Sequence, residues 1–149
     1  MRTEPTVATS PEETAGRVWR GLRALVLERH ERRKEVCDAL GMSFIRVKAL
    51  RRLAAGPRTM RDLAADLIID APYTTVVVDD LERRGLVARE VHPADRRSKI
   101  VKVTPEGERA ARRADEILSV PPPVILALPA GDLAALDRIV TGLLGTEGP

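Results

Sequence analysis

Two short runs of β-branched residues, LVAREV (Leu86–Val91) and KIVKV (Lys99–Val103), face each other across His92–Ser98 in a chain whose other patterned segments carry helical spacing. Joined across that loop they predict a β-hairpin. A hairpin alone is marginal in water, so this one has to lean on neighbouring helices. That requirement excludes a sandwich or a barrel and leaves a mainly helical protein with one small β-element. Composition agrees. Of 149 residues 44% are hydrophobic and 32% charged, and the aromatics are only Trp19, Phe44 and Tyr73. A core with so few rings is aliphatic, which suits packed helices better than a sandwich, and the length is enough for about one domain.

The helical segments can be placed by their stripes and caps. MRTEPTVATSP reads as a polar tail over 1–11. From Glu12 to about Lys34 the residues Val18, Leu22, Leu25 and Val26 share one stripe, and the Gly41 region ends that pattern. Ser43 caps a second helix carrying Val47, Leu50, Leu53 and Ala54, which Gly56 and Pro57 stop. Thr59, with Asp62 three residues on, caps a short third helix with Leu63, Ala64 and Leu67. Asp70 caps a fourth, with Pro72 in its first turn and Gly85 just past its end. After the hairpin, Thr104 and Pro105 start a helix running to about Ser119, where Val120–Pro123 stop it. A last helix, roughly Asp132 to Leu144, repeats Leu133, Leu136, Val140 and Leu143. The expectation is a single domain over 12–149. Its winged helix–turn–helix lobe covers about 43–104, flanked by helices at about 12–40 and 105–145.

On the fourth helix, 100° per residue puts Thr74, Val77, Val78 and Leu81 on a core face. Pro72, Tyr73, Val76, Asp79, Asp80 and Arg83 fall opposite, with Thr75 at the border. In a helix–turn–helix the second helix enters the major groove of DNA, and its first residues meet base edges. Tyr and Thr hydroxyls bond bases or phosphates there, and Val76 suits a thymine methyl. The hairpin tip carries Asp95-Arg96-Arg97, with Lys99 and Lys102 continuing a positive strip and Arg89 on the partner strand. A guanidinium on a thin protrusion suits the negative potential of a narrow minor groove. The formal net charge of +3 permits a polyanionic partner without requiring one.

GPRTMRDLAADL (Gly56–Leu67), VVDDLERRGLVARE (Val77–Glu90) and HPADRRSKIVKVTPEG (His92–Gly107), in this order, resemble the MarR family of transcriptional regulators over residues about 17–145. The resemblance implies a winged helix–turn–helix homodimer joined through the first helix and the last two. It also implies a repressor that binds a near-palindromic double-stranded operator and releases it on binding a small, often phenolic or amphipathic, effector. Carried over by position, Arg97 is the wing residue that enters the minor groove, with Asp95 completing its Asp-x-Arg. Tyr73, Thr74, Thr75 and Val76 match the base-facing start of the recognition helix. Arg83 on the outer helix face and Arg96 and Lys99 on the hairpin, read from position and charge, join the expected DNA-facing set. The family's effector pocket lies between the first, second and fifth helices, which makes Trp19 and Phe44 candidates. The chain departs from the family at Val76, where many members are basic or polar, and at Asp80, often Arg.

Asp79 and Asp80 support a second reading, a winged-helix module for protein–protein contact with weak or no DNA binding. Cys37 stands near Arg32, Arg33 and Lys34, which would lower its pKa, but a lone Cys more often acts as a small buried hydrophobe. It is the single cysteine, so no intrachain disulfide forms. His30, Glu31, Glu35 and Cys37 crowd together without the converging geometry a metal needs, and no cofactor is implied. No Ser/His/Asp arrangement or nucleotide-binding glycine loop appears, so an enzyme is not expected. No apolar run suits a signal peptide or a membrane span, and the expected compartment is the cytoplasm.

Overall fold

The structure, a computed structural model, describes residues 9–146, which fall into two compact units, one ending at Leu118 and the other starting at Ser119. The expected tail lies outside the described residues as far as residue 8. Ser10 and Pro11 instead open helix α1 (Pro11–Arg23) with a capping box, in which Ser10 Oγ accepts the Glu13 N–H and Glu13 Oε2 accepts the Ser10 N–H, both at 3.1 Å.

The long first helix expected from the sequence is interrupted. After Arg23 the chain widens into a π-helical turn, Ala24–Arg29, closed by a bond from the His30 N–H to the Leu25 carbonyl. A separate helix α2 (Arg33–Leu40) follows. The break carries Val36 into the core, fully buried, while Val18 and Val26 remain 56% and 59% exposed.

Helix α3 (Phe44–Ala55) buries Val47, Ala49, Leu50 and Leu53. Ala54, expected on that face, is exposed, and Ala49 fills the core arc instead. A two-residue strand β1 (Arg58–Thr59), which the sequence did not signal, leads directly into α4 (Met60–Leu67). Helix α5 (Ala71–Arg83) is followed by β2 (Val87–Val91) and β3 (Lys99–Val103), with β3 central in the antiparallel order β1-β3-β2. Register pairs Val87 with Val103 and Val91 with Lys99. Leu63 of α4, Leu81 of α5, Val101 of β3 and Ala111 and Ala114 of α6 (Pro105–Leu118) share one core with α3. Each fully buried Leu or Val contributes about 1.5–3 kcal/mol, so the hairpin is held by the helices under it.

One junction locks wing and helices together. Gly85, at φ 73°, turns the chain out of α5. The Thr104 N–H then bonds the Leu86 carbonyl at 3.0 Å, and the Thr104 hydroxyl donates to the Gly85 carbonyl at 2.6 Å while accepting the Gly107 N–H at 3.1 Å. Gly107 sits so tightly that a Cβ there would lie 2.0 Å from the Leu86 oxygen and 2.6 Å from Val103 Cγ2.

The second unit holds a short helix α7 (Pro123–Leu126), started by the prolines that end α6, and α8 (Ala130–Thr146). Ile139, Leu143 and Leu144 of α8 are more than half exposed. Among the described residues no helix is long and apolar enough to cross a membrane. The architecture is mainly α with a small β wing, as the sequence predicts.

Candidate nucleic-acid interface

Helices α4 and α5 are each started by a side chain. Thr59 Oγ1 accepts the Asp62 N–H at 3.1 Å, and Asp70 Oδ1 accepts the Tyr73 N–H at 2.7 Å. Between them Ile68 occupies the left-handed region (φ 56°), costly for a β-branched residue, and the residue is 90% exposed. The outer face of α5 presents Pro72, Tyr73, Thr75, Val76, Asp79 and Arg83. Thr74 must be removed from the DNA-facing set. It is fully buried, and its hydroxyl donates to the Asp70 carbonyl at 2.8 Å, because it shares the α5 core face with Val77, Val78 and Leu81.

At the wing tip the Asp95 carboxylate acts on backbone rather than on a guanidinium. It accepts the Arg97 N–H at 3.0 Å, while the Ser98 N–H bonds the Asp95 carbonyl at 3.1 Å. His92 Nδ1 accepts the Ala94 N–H at 3.0 Å, fixing the other shoulder of the loop. Arg96, Arg97 and Lys99 are exposed and have no carboxylate partner among the described residues. Lys102 does not continue their strip. It lies three residues from Lys99, hence on the other face of the strand, and pairs with Glu90 at 2.6 Å.

Between wing and helices runs a cleft of about 500 Å³ lined by Met60, Arg61, Thr75, Arg89, Arg97 and Lys99. It brings Thr75 together with Arg97 and Lys99. Arg61 was not anticipated. Its signal was present, since a cation in the first turn of a helix opposes the macrodipole and needs another reason to be there. Arg89, by contrast, is turned inward, 18% exposed, with Nη2 2.5 Å from Asp79 and Nη1 3.4 Å from Glu82.

Asp80, expected on the outer face, points back into the fold. Its side chain is 15% exposed and meets Arg46 Nε at 2.7 Å, Arg84 Nε at 2.8 Å and, more loosely, Arg83 at 3.7 Å. Arg84 also donates to the Gly41 carbonyl at 3.0 Å. Burial alone would raise the Asp80 carboxyl, but hydrogen bonds from Arg84 and Arg46 and their charges outweigh it and hold its pKa below the ordinary carboxylate value. Asp79 and Asp80 are therefore both matched by arginines. Arg83, weakly held, is 73% exposed at the far end of α5.

Trp19 is 64% exposed on α1. Phe44 packs at the core margin with the Arg33 guanidinium 5.2 Å above its ring. Cys37 also borders the core. Burial first, and the Asp38 charge second, push its thiol up, opposite to the lowering expected from the neighbouring cations. Among the described residues no group of three or more His, Cys, Asp or Glu side chains could hold a metal ion.

Residues 40–98 match the family model described as MarR family, and no curated protein matches the chain in sequence. Among solved structures, wild-type MarR from E. coli in its apo form is 21% identical, with 87% of this chain and 96% of that one covered at a TM-score of 0.67. NadR in complex with 4-hydroxyphenylacetate is 22% identical, with 96% and 97% covered and a TM-score of 0.59. The S. aureus MepR–DNA complex is 19% identical, with 85% and 98% covered and a TM-score of 0.58.

Proposed function

We propose that this chain is a winged-helix transcriptional regulator of the MarR family, whose model matches residues 40–98, and that it binds a specific duplex as a homodimer and represses transcription until a small effector releases it. Members of the family are transcription regulators, not enzymes. The observation that carries the reading is the cleft beside α5, where Arg61, Arg97 and Lys99 carry positive charge unmatched by any acid among the described residues. Such cations, gathered in one cleft beside α5, suit the phosphates bordering the groove that α5 would enter. The solved relative MepR is a DNA complex, which supports the same use of this fold. NadR holds 4-hydroxyphenylacetate, and a phenolic or amphipathic effector for this chain follows by analogy, with Trp19 and Phe44 as candidate contacts. Protein–protein contact is the weaker reading, because Asp79 and Asp80 are engaged by arginines.

The test is binding to duplexes selected from a random pool, measured at several salt concentrations. Log affinity should fall linearly with log salt by about 0.9 for each phosphate neutralised. Arg97→Ala, which removes one cation from each wing of a dimer, should flatten that slope by about two and weaken all duplexes alike. Absence of any salt-dependent duplex binding would hand the function to the protein-contact reading.

A further inference from the structure

The first two turns of α5 lack the side chains that ordinarily read bases. Guanine is recognised by Arg or Lys, and adenine by Asn or Gln. None of these stands among the outward residues Ala71, Pro72, Tyr73, Thr75 and Val76. The Thr75 hydroxyl spends its proton on the Ala71 carbonyl at 3.1 Å. Asp79 is held by Arg89 at 2.5 Å, and that guanidinium, which borders the cleft, is already engaged by Asp79 and Glu82. What remains is one phenol, on Tyr73, as a free donor, the acceptor lone pairs of Thr75, and a hydrocarbon surface on which Val76 is 51% exposed.

Hydrocarbon pressed on the edge of a G·C pair strips water from N7, O6 and N4 without replacing a hydrogen bond, which is unfavourable. Pressed on the C5 methyl of thymine, it buries apolar area on both partners. We propose that Val76 is a specificity-determining residue that recognises thymine methyl groups, so that the half-site is read in the major groove through methyls rather than guanine edges. This rests on the DNA-binding reading above and adds to it the chemistry of the target.

The experiment replaces thymine by deoxyuracil, one position at a time, in a duplex selected by the wild-type protein. This exchange removes the methyl and leaves base pairing intact. Loss of one buried methyl contact should lower affinity about fourfold per half-site, and about fifteenfold when both are changed. The sensitive positions should number one or two per half-site and fall under α5. In Val76→Ala the same exchange should cost less than twofold, since the contacting methyls are gone; Val76 is exposed, so the variant keeps its core. Binding that keeps its salt dependence but ignores deoxyuracil at every position overturns the methyl reading alone. An equal deoxyuracil penalty in wild type and Val76→Ala overturns the assignment to Val76. Failure to bind any duplex overturns both this proposal and the function it rests on.

Discussion

Gly107 shows how little room the junction between wing and helices leaves. In an open helix, Gly→Ala stabilises by about 1 kcal/mol. Here the added methyl would meet the Leu86 carbonyl oxygen at 2.0 Å, a backbone atom that Thr104 already holds in a hydrogen bond. The clash outweighs the propensity gain, and Gly107→Ala should lower stability by about 2–3 kcal/mol. A lower urea midpoint with unchanged slope is the expected result, and a midpoint at or above wild type would show that the junction yields. At the same scale, Thr74 and Lys102 mark where residue roles were legible and where a motif misled. Helical spacing already set Thr74 with Val77 and Val78, and strand alternation already set Lys102 opposite Lys99. A linear motif ignores both periods, and it drew Thr74 toward the DNA.

Asp80 belongs to the scale of elements, because it fastens α5 to the start of α3 through Arg46 and, through Arg84, to the end of α2 at Gly41. Its pKa is depressed in the folded chain. The stability it confers is therefore present above the unfolded carboxylate value, near 3.8, and is lost as pH falls through the lower folded value. Asp80→Asn should be destabilised by about 1–3 kcal/mol at neutral pH, and denaturation series should show the gap to wild type closing below about pH 4. A gap that persists at pH 2 would assign the loss to packing instead. Elements with their own caps were legible: Thr59, Asp70 and Thr104 each start the helix that the sequence assigns to them. The rest was not. Strand β1 exists only by pairing with β3, α7 is four residues long, and the π-helical turn is a slip in hydrogen bonding that no side-chain pattern announces. Arg61 entered the candidate site because folding sets the start of α4 beside the wing, which spacing along the chain does not show.

At the scale of the whole molecule, α1 with its π-helical turn and α8 each leave apolar side chains uncovered. Val18, Trp19 and Val26 stand on the first, and Ile139, Leu143 and Leu144 on the second. Faces of this kind mark association surfaces, and the expected species at micromolar concentration is a homodimer by sedimentation. Its operator half-sites should lie about 10 bp apart, one turn of the duplex. A monomer that keeps full affinity for the duplex would refute the assembly. Trp19 gives this expectation an optical side. It is the single tryptophan of the chain and lies on one of those faces, 64% exposed in the lone protomer. If α1 is covered on pairing, all indole emission comes from the seam, and diluting the protein should move it to longer wavelength as the ring passes into water. The chain would then carry an intrinsic gauge of its own dissociation, readable without any attached dye.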